Sequence, residues 1–193
     1  DLDKGNVGAL FVGPPACGKT TILRDIARLL SSGELGFMKK VCVVDERGDL
    51  AGVFSGECQN DLGFSDIFNG YPKGEGIMQA LRSMSPEVIV FDEVSTDSDI
   101  KSIKEGLNAG VCIISSIHAG SIEELINRKQ FRELINTGAF KKIVMLETRE
   151  NPGHVKKIYE VGEISDEINR IINSDFHRSI SRISNVPQAK YAG

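Results

Sequence analysis

The sequence predicts an α/β fold: a parallel sheet with helices packed on both faces. Three observations carry that expectation. Short aliphatic runs recur along the chain, amphipathic helical periodicities separate them, and polar, chemistry-bearing residues gather just beyond the ends of the aliphatic runs. Strand and helix alternating at this spacing imply right-handed crossovers, which make neighbouring strands parallel and cover the sheet on both sides.

Taken in order, Gly8 to Val12 (GALFV) reads as a buried strand ending at Gly13. From Lys19 to Leu30, the residues Ile22, Leu23, Ile26, Leu29 and Leu30 recur at helical spacing, and Ser31-Ser32-Gly33 ends the pattern. Lys40 to Asp45 (KVCVVD) is a second buried strand. The stretch after it, rich in Gly, Asn and Asp, shows no assignable periodicity. Gly74 to Ser83 reads as a helix stopped before Pro86. Val88 to Phe91 is a third strand, running into Asp92-Glu93. Ile100, Ile103 and Leu107 mark a helix with Thr96 or Ser95 as cap and Gly110 as stop. Val111 to Ile117 (VCIISSI) is a fourth strand ending at His118. Helical pattern resumes over Ser121 to Asn136, in two pieces. Lys142 to Leu146 is a fifth strand, and Val155 to Val161 a sixth or a hairpin arm with it. Beyond Gly162, Ile164, Ile168, Ile171 and Ile172 suggest one amphipathic helix. A core over residues 1–162 is therefore expected, followed by a C-terminal helix and tail over 163–193.

Composition narrows the partners. The 193 residues are 40% hydrophobic and 26% charged, with a formal net charge of -4, ordinary values for a globular domain. Mild acidity argues against nucleic acid or anionic lipid as a large electrostatic partner. The cysteines at 17, 42, 58 and 112 form no C-x-x-C pair, so reduced thiols in a cytosol are expected rather than a disulfide framework or zinc site. No signal peptide or membrane-length apolar run stands out.

Gly13-Pro14-Pro15-Ala16-Cys17-Gly18-Lys19-Thr20 fits G-x-x-x-x-G-K-[ST] at every specified position, and Thr21 follows. The glycines permit a tight loop whose backbone N–H groups face phosphate oxygens, and the helix behind it presents its positive end. Lys19 would reach the β- and γ-phosphates, and the Thr20 hydroxyl would ligate Mg2+. With a buried strand before it and an amphipathic helix after it, the motif points to a P-loop NTPase. The strand ending in Asp92-Glu93 supplies the counterpart: Asp92 for the metal, Glu93 to orient or deprotonate a water. An acid directly after the metal Asp, with no Arg-rich lid in view, favours hydrolysis over transfer to an acceptor.

Asp45-Glu46-Arg47 either lines the same crevice, where Glu46 could help place water or metal, or forms a solvated charged turn. Ser116 and His118 end the fourth strand, as γ-phosphate sensors or as structural residues. Arg82 and Arg149 could reach charge across a subunit boundary, or stay solvated.

The stretches PPACGKTTILRDIARLLS, VCVVDERGDLAG, QNDLG, LRSMSPEVIVFDEV, NAGVCIISSIHAGSIEEL and VKKIYE closely resemble the stage III sporulation protein AA family, itself similar to the ATPases of type II secretion and type IV pili. The likeness runs from about Leu10 to Val161. It implies a RecA-like core in which one strand separates the loop strand from the acidic strand. It also implies an ATP- and Mg2+-dependent ATPase, hexameric when full-length, at the mother-cell face of the channel joining mother cell and forespore, cytoplasmic and docked on the integral-membrane proteins of that complex. The alternative within the resemblance is an ATP-binding assembly scaffold with little or no hydrolysis. By position, Glu46 matches the family's acidic box, Asp92-Glu93 the hydrolytic pair, His118 the histidine box, and Arg82 the arginine before the Pro-Glu that leads into the acidic strand. Two features depart from the pattern. Val94-Ser95 replaces the Ile-Gly or Ile-Arg expected after the acidic pair. The family also carries an N-terminal domain ahead of the core, and this chain begins almost at the loop strand, implying weak assembly and hydrolysis by the core alone.

Overall fold

A computed structural model describes residues 7–166 and 168. In chain order the elements are β1 (Ala9–Gly13), α1 (Lys19–Ser32), β2 (Val41–Asp45), β3 (Val53–Phe54), β4 (Glu57–Cys58), β5 (Asp66–Asn69), α2 (Lys73–Ser83), β6 (Val88–Phe91), α3 (Asp97–Asn108), β7 (Cys112–His118), α4 (Ile122–Ile126), α5 (Lys129–Asn136), β8 (Lys142–Leu146) and β9 (Val155–Glu160). Residues 161–166 are helical, and Ile164 and Ile168 are buried. Ile171, Ile172 and the rest of the expected tail lie outside the described residues.

Seven strands form one sheet in the order β5-β2-β6-β7-β1-β8-β9. All neighbours are parallel except β8 and β9, which form an antiparallel hairpin. As expected, one strand, β7, separates the loop strand β1 from the acidic strand β6. Because side chains alternate across a strand, Leu10 and Val12 of β1 enter one core while Phe11 enters the other. The face holding Phe11, Val43, Val90 and Ile114 packs on Leu23, Ala27 and Leu30 of α1. The opposite face, with Ile89, Phe91 and Ile113, packs on Ile77 of α2, Ile103 of α3 and Phe131 and Leu134 of α5. Each fully buried Leu, Ile or Phe contributes about 1.5–3 kcal/mol. Gly8 shows how closely the backbones approach at the base of β1: a Cβ there would lie 1.9 Å from the Ala139 carbonyl oxygen.

Helix ends follow local chemistry. Thr96 caps α3 through a reciprocal capping box with Asp99, Gly33 ends α1 in the left-handed region, and Ser121 caps α4. The Gly-, Asn- and Asp-rich stretch holds the β3–β4 hairpin and the edge strand β5. The buried thiols of Cys42 and Cys112 are pushed up to about 12 and about 11 by loss of solvation, so neither has thiolate character at neutral pH. No helix among the described residues is long and apolar enough to cross a membrane.

Asp45, at the end of β2, turns inward. It is 2% exposed and accepts hydrogen bonds from the amides of Leu50 (3.1 Å) and Ala51 (2.7 Å). The carboxylate therefore ties down the loop that covers α1. Asp45→Ala strips both amides of their partner and is expected to lower stability by about 1–3 kcal/mol, read as a lower urea midpoint at unchanged slope.

Candidate functional site

β1 delivers the chain to the carboxyl edge of the sheet, where residues 14–18 close a loop before α1 begins at Lys19. The turn requires left-handed backbone at Ala16 (φ 60) and Gly18 (φ 94). At Gly18 a side chain is excluded twice over, since a Cβ would also lie 2.8 Å from the Gly153 amide nitrogen. Gly153 in turn donates to the Cys17 carbonyl (2.8 Å), so the β8–β9 turn supports the loop from outside. The Cys17 side chain is fully buried beneath it.

Lys19 is the centre of the loop. Only 5% exposed, its Nζ donates to the carbonyls of Gly13 (2.9 Å) and Pro14 (2.8 Å) and lies 3.1 Å from His118 Nδ1. Among the described residues it has no carboxylate partner. Burying a cation away from any counter-charge is costly, and an anion held in the loop would offset that cost. An ammonium only donates, so Nδ1 accepts and the ring proton of His118 sits on Nε2.

Thr20 donates its hydroxyl hydrogen to Asp92 Oδ2 (2.7 Å), joining the start of α1 to the end of β6. The other oxygen of Asp92 accepts from the Ser116 hydroxyl and from the Glu93 amide (2.9 Å). A hydroxyl and a carboxylate oxygen converging beside the loop are the donor types that Mg2+ prefers, so these residues fit that ion.

Glu93 stands in the left-handed region (φ 45), uncommon for a residue with a side chain. Its amide also lies 3.2 Å from Ser116 Oγ, its carbonyl accepts from Lys73, and its carboxylate lies 3.6 Å from Arg47 and 3.9 Å from His118 Nε2. Glu46 sits 3.7 Å from Lys73. With Arg47, Asp49, Lys73, Asp92 and Glu93 it lines one pocket beyond the strand ends.

The sequence-derived candidates Gly13 to Thr20, Asp92, Glu93 and His118 thus share one edge of the sheet, with Glu46 across the pocket. Thr21 is exposed on the first turn of α1, and its side chain makes no hydrogen bond among the described residues. Arg82 is exposed in the last turn of α2, at the end of that helix away from Lys73, and Arg149 is exposed on the β8–β9 turn. Sequence reasoning missed Lys73. Its signal was a lysine directly after a proline at a helix start, where a cation opposes the helix dipole.

Solved structures share this architecture. The VirB11 ATPase of the Brucella suis type IV secretion system, in complex with sulphate, superposes with a TM-score of 0.56 at 14% identity, over 85% of this chain and 51% of that one. The pilus retraction motor PilT with bound ADP gives 0.55 at 12% identity, over 89% and 54%. At such identities the likeness is one of fold, a P-loop, RecA-like sheet. Stage III sporulation protein AA of Bacillus subtilis (strain 168) is 40% identical over 156 residues, 80% of this chain and 51% of that protein. The match covers about half of that relative, 44% of the ycf45 protein of Cyanidium caldarium, and less than a quarter of two further curated relatives. The family model for sporulation stage III, protein AA, matches residues 2–165, and the chain belongs to that family.

Proposed function

We propose that this chain is the Mg2+-dependent ATP-binding and ATP-hydrolysing core of a secretion-ATPase-like motor serving the mother cell–forespore channel. The observation that carries the reading is the buried ammonium of Lys19, without a carboxylate partner among the described residues, set beside the Thr20–Asp92 pair and joined to Glu93 through His118.

In this reading the amides of Gly13 to Lys19 and the N-terminus of α1 bind the phosphates. Lys19 exchanges two carbonyl oxygens for phosphate oxygens, a charge-assisted contact. Mg2+, held by Thr20 and Asp92, supplies neutralisation of the phosphate charge. Glu93 orients water and takes its proton, and His118, with Nε2–H toward that carboxylate, holds its orientation. Glu46 acts on the same pocket through Lys73. Full-length subunits assemble into a ring, a hexamer by family likeness, docked from the mother-cell cytoplasm on integral-membrane partners. Arg82 or Arg149 could then serve a neighbouring site. Nucleic acid is not a partner in this reading, given the net charge of -4.

Two variants of the full-length protein test it. Lys19→Ala is expected to weaken ATP binding about 10-fold to 100-fold by calorimetry, the loss of a charged hydrogen-bonding partner. Glu93→Gln is expected to keep ATP affinity while phosphate release falls about 100-fold to 10,000-fold. Equal release by Glu93→Gln and the unmodified protein would favour an ATP-binding assembly scaffold instead.

A further inference from the structure

Among the described residues two lysines are buried at this edge of the sheet, and the hydrolytic reading brings only one of them to the nucleotide. The other, Lys73, is 7% exposed and opens α2 directly after Pro72. A cation there meets the positive end of its own helix dipole, an unfavourable placement before any loss of hydration is counted. Its partners explain how it persists. Nζ lies 3.7 Å from Asp99, which is itself buried, and 3.7 Å from Glu46 at the pocket rim. It donates its hydrogen bond to the backbone carbonyl of Glu93.

The Glu93 peptide is therefore gripped at both ends. Asp92 Oδ1 and Ser116 hold its amide, and Lys73 holds its carbonyl. Between those grips the residue keeps a left-handed conformation (φ 45) that an acidic side chain does not adopt freely. That conformation directs the carboxylate toward His118 and Arg47. Asp99, the second anchor, accepts the amides of Ser95 (3.0 Å) and Thr96 (2.9 Å), so the same cation ties the acidic-pair turn to the start of α3.

We infer that Lys73 is a positioning residue for hydrolysis: its ammonium braces the strained Glu93 backbone, and so aims the Glu93 carboxylate, while making no contact with the phosphate loop. The inference rests on the hydrolytic reading of Glu93. It separates Lys73 from a merely structural ion pair, because it ties Lys73 to turnover and to the order of residues 92–96 but not to nucleotide affinity.

The test compares Lys73→Met and Lys73→Arg in the full-length protein by phosphate release, by calorimetric Mg-ATP affinity, and by amide hydrogen exchange without nucleotide. Misplacing a reacting group costs on the order of 100-fold. Lys73→Met is accordingly expected to lose about 10-fold to 100-fold in kcat, to keep its affinity within about twofold, and to exchange faster at residues 92–96. Lys73→Arg, which can still donate to the Glu93 carbonyl, is expected to recover most of the loss. Should Lys73→Met fail to fold, Lys73→Met/Asp99→Asn removes the stranded carboxylate and takes its place. Unchanged turnover with unchanged exchange overturns the inference, as does a loss of affinity in step with turnover. If the unmodified protein itself releases no phosphate, the hydrolytic reading falls and the exchange measurement alone decides the brace: faster exchange at 92–96 supports it, and no change overturns it.

Discussion

A buried ammonium with no carboxylate partner among the described residues is the constraint around which this site is organised. Lys19 lies among two carbonyl oxygens, the Cys17 sulfur and an imidazole nitrogen, with no carboxylate among its described partners. Lys73, a short way along the same edge, is just as buried but faces two carboxylates. The contrast distinguishes their chemistry. A cation already paired with Asp99 and Glu46 has its electrostatic needs met within the protein. One solvated only by dipoles gains far more from an incoming anion.

The fold makes that arrangement possible. Inserting β7 between β1 and β6 brings Ser116 and His118 level with the Gly13–Thr20 loop and with Asp92. Gly13 pairs in register with His118, and Phe91 with Ser115. Parallel strands also bring every one of these ends to the same edge, and α1 then projects its N-terminus into the crevice they bound. Ala16 in the loop and Glu93 beyond β6 both stand in the left-handed region, and the groups that hold Glu93 come from three places: Asp92 just after β6, Ser116 of β7 and Lys73 of α2. Such over-determination is what keeps an unfavourable backbone conformation populated.

The sequence revealed more of the carboxyl edge of the sheet than of the margins. The G-x-x-x-x-G-K-T spacing is legible because each position answers to backbone geometry or charge, and the apolar runs of β1, β2, β6, β7 and β8 are buried on both faces and so read without ambiguity. β5 (DIFN) escaped because it is a short, half-buried edge strand in which two of four residues are polar. The β3–β4 pair escaped because two-residue strands carry no period, and Phe54 stands exposed in it. Of the adjacent acids Asp45 and Glu46 the sequence singles out Glu46, which lies at the pocket; the role of Asp45, satisfying the buried amides of Leu50 and Ala51, is fixed only when the loop after β2 folds back. Lys73 offered only its place after Pro72 at a helix start, because its partners Glu46, Glu93 and Asp99 lie far off in sequence.

The most direct measurement is a crystal structure of the full-length protein with Mg2+ and a non-hydrolysable ATP analogue. The account requires the triphosphate on the loop from Gly13 to Thr20, Lys19 moved from the Gly13 and Pro14 carbonyls to phosphate oxygens, and Mg2+ beside Thr20 and Asp92. An analogue bound elsewhere, or one bound there with Lys19 still on its own carbonyls, would contradict it.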